Sequence, residues 1–185
     1  MISRVPVMLK RSQHTPVHLL LDDAPYFLTA AIYQKRPLLA MSALKMQLRD
    51  LIHEFFEKYR WTLQHWVILD NHYHLLAQSR NGTDLPQIIR GIHVTSAKAI
   101  AQATGCAYPV WWNYWDSCLR SEQAYNIRMN YLLYNPVKHG YVTHLHDYPY
   151  SSFHEAFEAF GRERLARQFQ QYAEYKTELI EEDDF

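Results

Sequence analysis

The sequence predicts an α+β fold, an antiparallel sheet with helices packed on it as a sandwich. Three observations carry this. Trp66 to Gln78, WVILDNHYHLLAQ, reads as strand, turn, strand. Apolar residues recur at helical spacing after Ser42, Asp84 and Ser121. The resulting order is strand, helix, hairpin, helix, strand, helix, which suits an antiparallel sheet with the hairpin near its centre.

The first strand is expected in Tyr26–Tyr33, a β-rich run stopped by Lys35-Arg36-Pro37. Ser42 is the expected N-cap of a first helix over about Ala43–Tyr59, with Leu44, Leu48, Leu51, Ile52, Phe55 and Tyr59 as its stripe. Trp61–Leu69 and His72–Ser79 form the hairpin, and Asp70-Asn71 is its turn because both residues tolerate left-handed backbone angles. After the Asn81-Gly82 turn, an Asp84-x-x-Gln87 capping box opens a second helix that Gly105 stops. Val110–Trp115 leads into a fourth strand at Asp116–Arg120, and Ser121-Glu122 opens a third helix. Pro136 is expected to kink its last turn, and Gly140 closes it. Ser152-x-x-Glu155 reads as another capping box, and Gly161 divides two further helical pieces.

At 185 residues with 48% hydrophobic content the chain suits one domain. The expected division is 1–150 as the functional unit and 151–185 as a helical, acidic extension packed on it or trailing from it. Two cysteines without a CxxC exclude a disulfide scaffold, so Cys106 and Cys118 are expected as reduced thiols in a cytoplasmic protein. The N-terminal stretch has no apolar signal segment, and no membrane association is expected. A net charge of zero would speak against a nucleic-acid partner, but it hides an asymmetry. Residues 1–138 hold 15 Lys and Arg against 9 Asp and Glu, whereas residues 139–185 hold 4 against 10. A basic body with an acidic tail is compatible with phosphate binding by the body. Arg4, Lys10 and Arg11 would form either a basic arm or an ordinary exposed start, and Glu181–Asp184 a frayed, solvated end.

Strand side chains alternate, so His72 and His74 project from one face, and two imidazoles on a rigid strand make a metal-ligand pair. The bland reading is two satisfied, half-buried histidines. On the third helix Ala124, Arg128, Tyr131 and Asn135 are spaced by 4, 3 and 4 and share a face, while Tyr125, Met129, Leu132 and Leu133 lie toward an apolar one. Here the bland reading is a capped helix end with an exposed Tyr.

His72-Tyr73-His74, followed by Tyr131-x-x-x-Asn135-Pro136-Val137-Lys138-x-Gly140 and then Tyr148-Pro149-Tyr150-Ser151-Ser152, resembles the HUH-type single-tyrosine transposases in their REP-associated branch. The resemblance runs from about Tyr26 to Phe153. It implies a ferredoxin-like HUH endonuclease sandwich and cleavage and joining of single-stranded DNA at hairpins of repetitive extragenic palindromes. His72 and His74 match the histidines that hold a divalent cation, Mg²⁺ or Mn²⁺, Asn135 the third ligand, and Tyr131 the nucleophile that forms a 5′-phosphotyrosine. The chain departs from the family pattern at Asp70-Asn71, where Pro-Asn is common, and at Tyr73, where a smaller aliphatic residue is frequent. Tyr134 is a second phenol nearby. Candidate DNA contacts are Lys35, Arg36, Trp111, Trp112, Arg120, Arg128 and Lys138, each of which also reads as core aromatic or solvated charge. The chain would act as a monomer or homodimer. Competing readings are a zinc hydrolase that uses the histidine pair and a hairpin-binding protein without chemistry.

Overall fold

The computed structural model describes residues 20–177. The expected basic arm and the acidic end lie outside these residues. Four strands, β1 (Pro25–Ile32), β2 (Thr62–Ile68), β3 (His72–Gln78) and β4 (Trp111–Cys118), form one sheet in the order β2-β3-β1-β4. Every pairing is antiparallel. Helices α1 (Ser42–Lys58) and α2 (Leu85–Thr104) cover one face, and α3 (Glu122–Lys138), α4 (Phe153–Phe160) and α5 (Arg162–Gln171) the other. The α+β sandwich is as expected, but the hairpin is not central: β3 lies inside the sheet and β2 at its edge.

Alternation along the strands divides the core. Tyr26, Leu28, Ala30 and Ile32 of β1 and Tyr73, Leu75 and Ala77 of β3 meet Leu48, Ile52, Ile88 and Ile92 of the helices on one face. Phe27, Val67 and Leu76 meet Ile127, Tyr131 and Leu132 on the opposite face, where His72 and His74 also project. Leu165 of α5 and Tyr175 beyond it join this second cluster. Fully buried Asn130 fastens the layer, because its Nδ2 donates to the carbonyls of Gln168 and Tyr172 while Gln168 Nε2 donates back to Asn130 Oδ1.

Three expected helix caps differ. Ser42 is the first helical residue, Met41 is the cap, and no side chain caps the end. Asp84 and Ser152 stand at the cap positions of their helices as expected, but neither side chain makes a capping hydrogen bond. Ser152 serves the sheet instead: its Oγ accepts from Trp66 N at 3.0 Å and its own amide donates to Trp66 O. With Val67 bridged to Ser151 and Ile68 N donating to Tyr150 O, this segment covers the exposed edge of β2. A capping pattern is local and loses when a buried strand edge offers the same hydroxyl a better partner. Ser121 does cap α3, accepting from Ala124 N. The helix continues through Pro136 to Lys138, since a proline one turn from the end forfeits little. The fourth strand begins at Trp111, so the Trp-rich run belongs to the strand itself.

The departure at Asp70 has a structural partner. Lys45, 4% exposed, places its Nζ 2.5 Å from Asp70 Oδ1 and 4.9 Å from the centre of the Tyr150 ring. Removing the carboxylate strands a buried ammonium. Asp70→Ala is expected to cost about 2 kcal/mol in urea denaturation, below the fully buried range because the Asp70 side chain is partly exposed. Lys45→Met should cost less, since it leaves the more hydrated partner unpaired.

His65 on β2 is buried, and burial pushes its imidazole down to about 4. The unfolded chain takes up this proton near pH 6.5, whereas the folded chain refuses it until about pH 4. The stability His65 allows is therefore intact above pH 6.5 and lost as pH falls from there to about 4. Denaturation at stepped pH should show a slope that His65→Gln reduces by up to about 1.4 kcal/mol per pH unit.

Candidate active site

β3 carries His72 and His74 on the face that α3 covers, with ring centroids 5.0 Å apart. Both are buried, at 5% and 0% exposure. Burial drives the His72 imidazole down to about 3, helped by the His139, Lys138 and Lys35 charges and opposed by its contact with Asn135. Burial likewise pushes His74 well below the ordinary histidine range. Both are neutral at working pH, the form in which histidine binds metals.

Neighbours orient the rings. Asn71 Nδ2 donates to Lys35 O at 3.2 Å, which turns Asn71 Oδ1 toward His72 Nδ1 at 2.7 Å. A carbonyl oxygen only accepts, so His72 Nδ1 carries the hydrogen and Nε2 keeps a lone pair. Thr29, opposite His74 on β1, sets Oγ1 2.8 Å from His74 Nδ1. Phe27 stacks on His74 at 5.3 Å. A fixed ring nitrogen backed by a hydrogen-bonded partner is the usual setting of a metal-binding imidazole.

α3 supplies the rest. Asn135 is fully buried and directs Oδ1 at His72 Nε2 from 3.4 Å. Two acceptors thus face each other, and Asn135 Nδ2 has no hydrogen-bond partner among the described residues. A divalent cation between the acceptors, or a reversed amide that donates to Nε2, resolves this. The donors therefore fit a divalent cation held by two neutral imidazoles and one amide oxygen, a set that leaves coordination positions open. Among the described residues no three His, Cys, Asp or Glu side chains come together, so the Asn135 amide would be the third donor.

Tyr131, one turn before Asn135, is 1% exposed rather than solvent-facing. Its ring meets His74 edge-on at 5.4 Å and Phe27 at 6.1 Å. Lys138 donates to the phenolic oxygen at 3.0 Å, with Nζ 4.6 Å from the ring centre. Tyr134 instead packs against Tyr175, at 5.2 Å, away from the histidines. His139, four residues after Asn135, brings its ring to 5.2 Å from His72. Sequence reasoning missed it, although the same i, i+4 spacing that linked Tyr131 to Asn135 would have found it.

The other candidate contacts divide. Trp111 is buried, stacked at 4.4 Å on His93, and donates Nε1 to Ser96 Oγ, so it belongs to the core and cannot stack on a base. Trp112 is exposed. Arg36 donates to the carbonyls of Tyr33, Ala107 and Pro109, which spends its guanidinium on structure. Arg128 lies over Phe27 at 5.1 Å and, with Arg120, Ser117 and Ser121, lines a cavity of about 350 Å³ at the start of α3. Lys35 is exposed, and its charge reaches His72 and His139.

Residues 23–117, half of the chain, match the family described as transposase, IS200 like. The chain belongs to the IS200-like transposases. Within them it is of the REP-associated tyrosine transposase branch. A candidate REP-associated tyrosine transposase of Haemophilus influenzae is 31% identical, over 62% of this chain and 76% of that one. The REP-associated tyrosine transposase of Escherichia coli K12 is 28% identical, over 70% and 76%. Among solved structures, a REP-associated tyrosine transposase bound to a REP hairpin is similar with a TM-score of 0.64 and 25% identity, covering 78% of this chain and 84% of that one. In this IS200-like transposase no described helix is long and apolar enough to cross a membrane.

Proposed function

We propose that this chain is a metal-dependent single-stranded DNA endonuclease and strand transferase that acts at palindromic hairpins through a 5′-phosphotyrosine. The observation that carries the reading is the convergence of His72, His74 and Asn135 beside a buried Tyr131 phenol that accepts from Lys138. The likeness to a relative bound to a REP hairpin supports hairpin DNA as the partner. The catalytic unit is taken as residues 1–150, with 151–185 as a helical, acidic extension.

His72, His74 and Asn135 would hold the divalent cation, which when bound polarises a non-bridging oxygen of the scissile phosphate. Tyr131 Oη attacks phosphorus. The new bond joins Oη to phosphorus and the bond to the 3′ oxygen breaks. The phenolic proton departs, and the leaving 3′ oxygen takes a proton to become a hydroxyl. The ester conserves the bond energy, so a 3′-hydroxyl can later attack it and release Tyr131 without ATP. The Lys138 ammonium favours negative charge on Oη in both directions. Arg120, Arg128 and Lys35 would meet flanking phosphates.

The test is a denaturing gel of the protein with labelled hairpin oligonucleotides from its own genome, with Mg²⁺ or Mn²⁺ and with a chelator. The reading expects a slow covalent band that needs the metal and Tyr131. Binding without a band in any metal would leave only a hairpin-binding protein.

A further inference from the structure

The chain makes a left-handed turn where β1 ends. Gln34 (φ 60°) and Lys35 (φ 53°) are adjacent non-glycine residues at positive φ, a conformation that persists only where neighbours impose it. Here they do. Tyr33 N donates to Val110 O, Arg36 Nε to Tyr33 O, and Asn71 Nδ2 to Lys35 O. The consequence is a cavity of about 250 Å³ lined by Ile32, Tyr33, Gln34, Lys35 and Trp112. Its lining is almost wholly apolar, and the Tyr33 and Trp112 rings lie 5.3 Å apart at 37°. Trp112 is 55% exposed. Strand alternation explains the contrast with Trp111: one indole goes into the core and its neighbour goes outward.

The cavity is tied to the candidate active site. Lys35 O accepts from the Asn71 amide whose oxygen accepts from His72, so one side chain connects the strained turn to a proposed metal ligand. An exposed aromatic pair could also serve a protein partner or a second copy of this chain. The Lys35 ammonium at the rim and the short path to His72 favour a flat aromatic group carried on a phosphate chain.

We propose that Tyr33 and Trp112 form a stacking pocket for one unpaired nucleobase of the DNA strand near the scissile phosphate, with Lys35 on that nucleotide's phosphate. Gln34 borders the same cavity, and a rotation of its exposed side chain would bring an amide that donates and accepts to the base, so the pocket can prefer one base over another. The proposal rests on the DNA-cleaving reading for its ligand and adds a site to it.

The test uses the full chain carrying Tyr131→Phe, so that binding is measured without chemistry. The probes are hairpin oligonucleotides from the chromosomal repeats of the source, with unpaired flanks in which an abasic site is walked one nucleotide at a time. Fluorescence anisotropy should find one flanking position where base removal weakens binding about tenfold. In a protein that also carries Trp112→Ala the same removal should cost less than about twofold, because the stacking partner is already gone. Trp112→Phe should restore most of the difference. If every abasic position costs the same with and without Trp112, the pocket proposal is overturned while the DNA-cleaving reading stands. Additivity of that kind with a Trp112-dependent change in oligomeric state would assign the surface to a second copy. If no covalent band forms yet the coupling appears, the pocket stands and the chemistry falls. If no hairpin binds at all, both are overturned.

Discussion

Tyr131→Phe is expected to remove the covalent protein–DNA band completely, a loss on the order of 10³-fold or more, while leaving the fold and the DNA affinity nearly unchanged. The substitution deletes one oxygen. The ring keeps its edge-on contacts with His74 and Phe27, which hold the α3 face against the sheet. Lys138, which donates to the phenol, belongs to an exposed residue, so its ammonium stays within reach of water when the acceptor goes. The melting temperature should therefore move little, and hairpin affinity by no more than about twofold. Tyr134→Phe is the matched control. Its ring lies against Tyr175 rather than the histidines, so its variant should form the adduct at close to the parental rate. A surviving band in Tyr131→Phe, lost in Tyr134→Phe, would move the nucleophile to the second phenol and break the assignment of the α3 face.

The two periodicities explain how much of this site could be read from residues alone. The strand period of two puts His72 and His74 on one face whatever the tertiary fold, and the 4-3-4 spacing of the third helix puts Arg128, Tyr131 and Asn135 on another. The sheet then brings these faces together. What local patterns could not show is which partner wins a contested group. Ser152 has the sequence of a cap but spends its hydroxyl on Trp66 at the edge of β2. Asn71 has the sequence of a turn residue, and its amide also orients the His72 ring. Arg36 reads as a free cation, yet loop carbonyls 71 and 73 residues away take its donors. Tyr131 reads as an exposed phenol, because nothing in its own helix reveals that the sheet, with Phe27 and His74, closes over it. Trp111 and Trp112 form an intermediate case. Alternation says that they part, and only the position of α2 says which of them is buried.

Lys138 reads from sequence as one of several phosphate contacts, and in the structure its ammonium donates to the Tyr131 phenol, which leads to a separate expectation. Lys138→Met keeps the length of the side chain and deletes the charge. If the ammonium stabilises the phenolic oxygen as it attacks and as it leaves, the single-turnover rate of adduct formation at saturating DNA should fall about 10²-fold, the usual effect of losing one donor from a developing charge. Rejoining of a pre-formed adduct to a 3′-hydroxyl should fall by a similar factor, since the same oxygen is then the leaving group. Lys138→Arg should recover part of both rates. A lysine that merely met the DNA backbone would behave differently. Its loss would weaken binding, shift the salt dependence by about one charge, and leave the saturated rate alone. The contrast between rate at saturation and affinity thus separates the roles. It also bears on why the phenol is buried: an oxygen withdrawn from water reacts only if something nearby supports its charge, and the Lys138 ammonium donates to it.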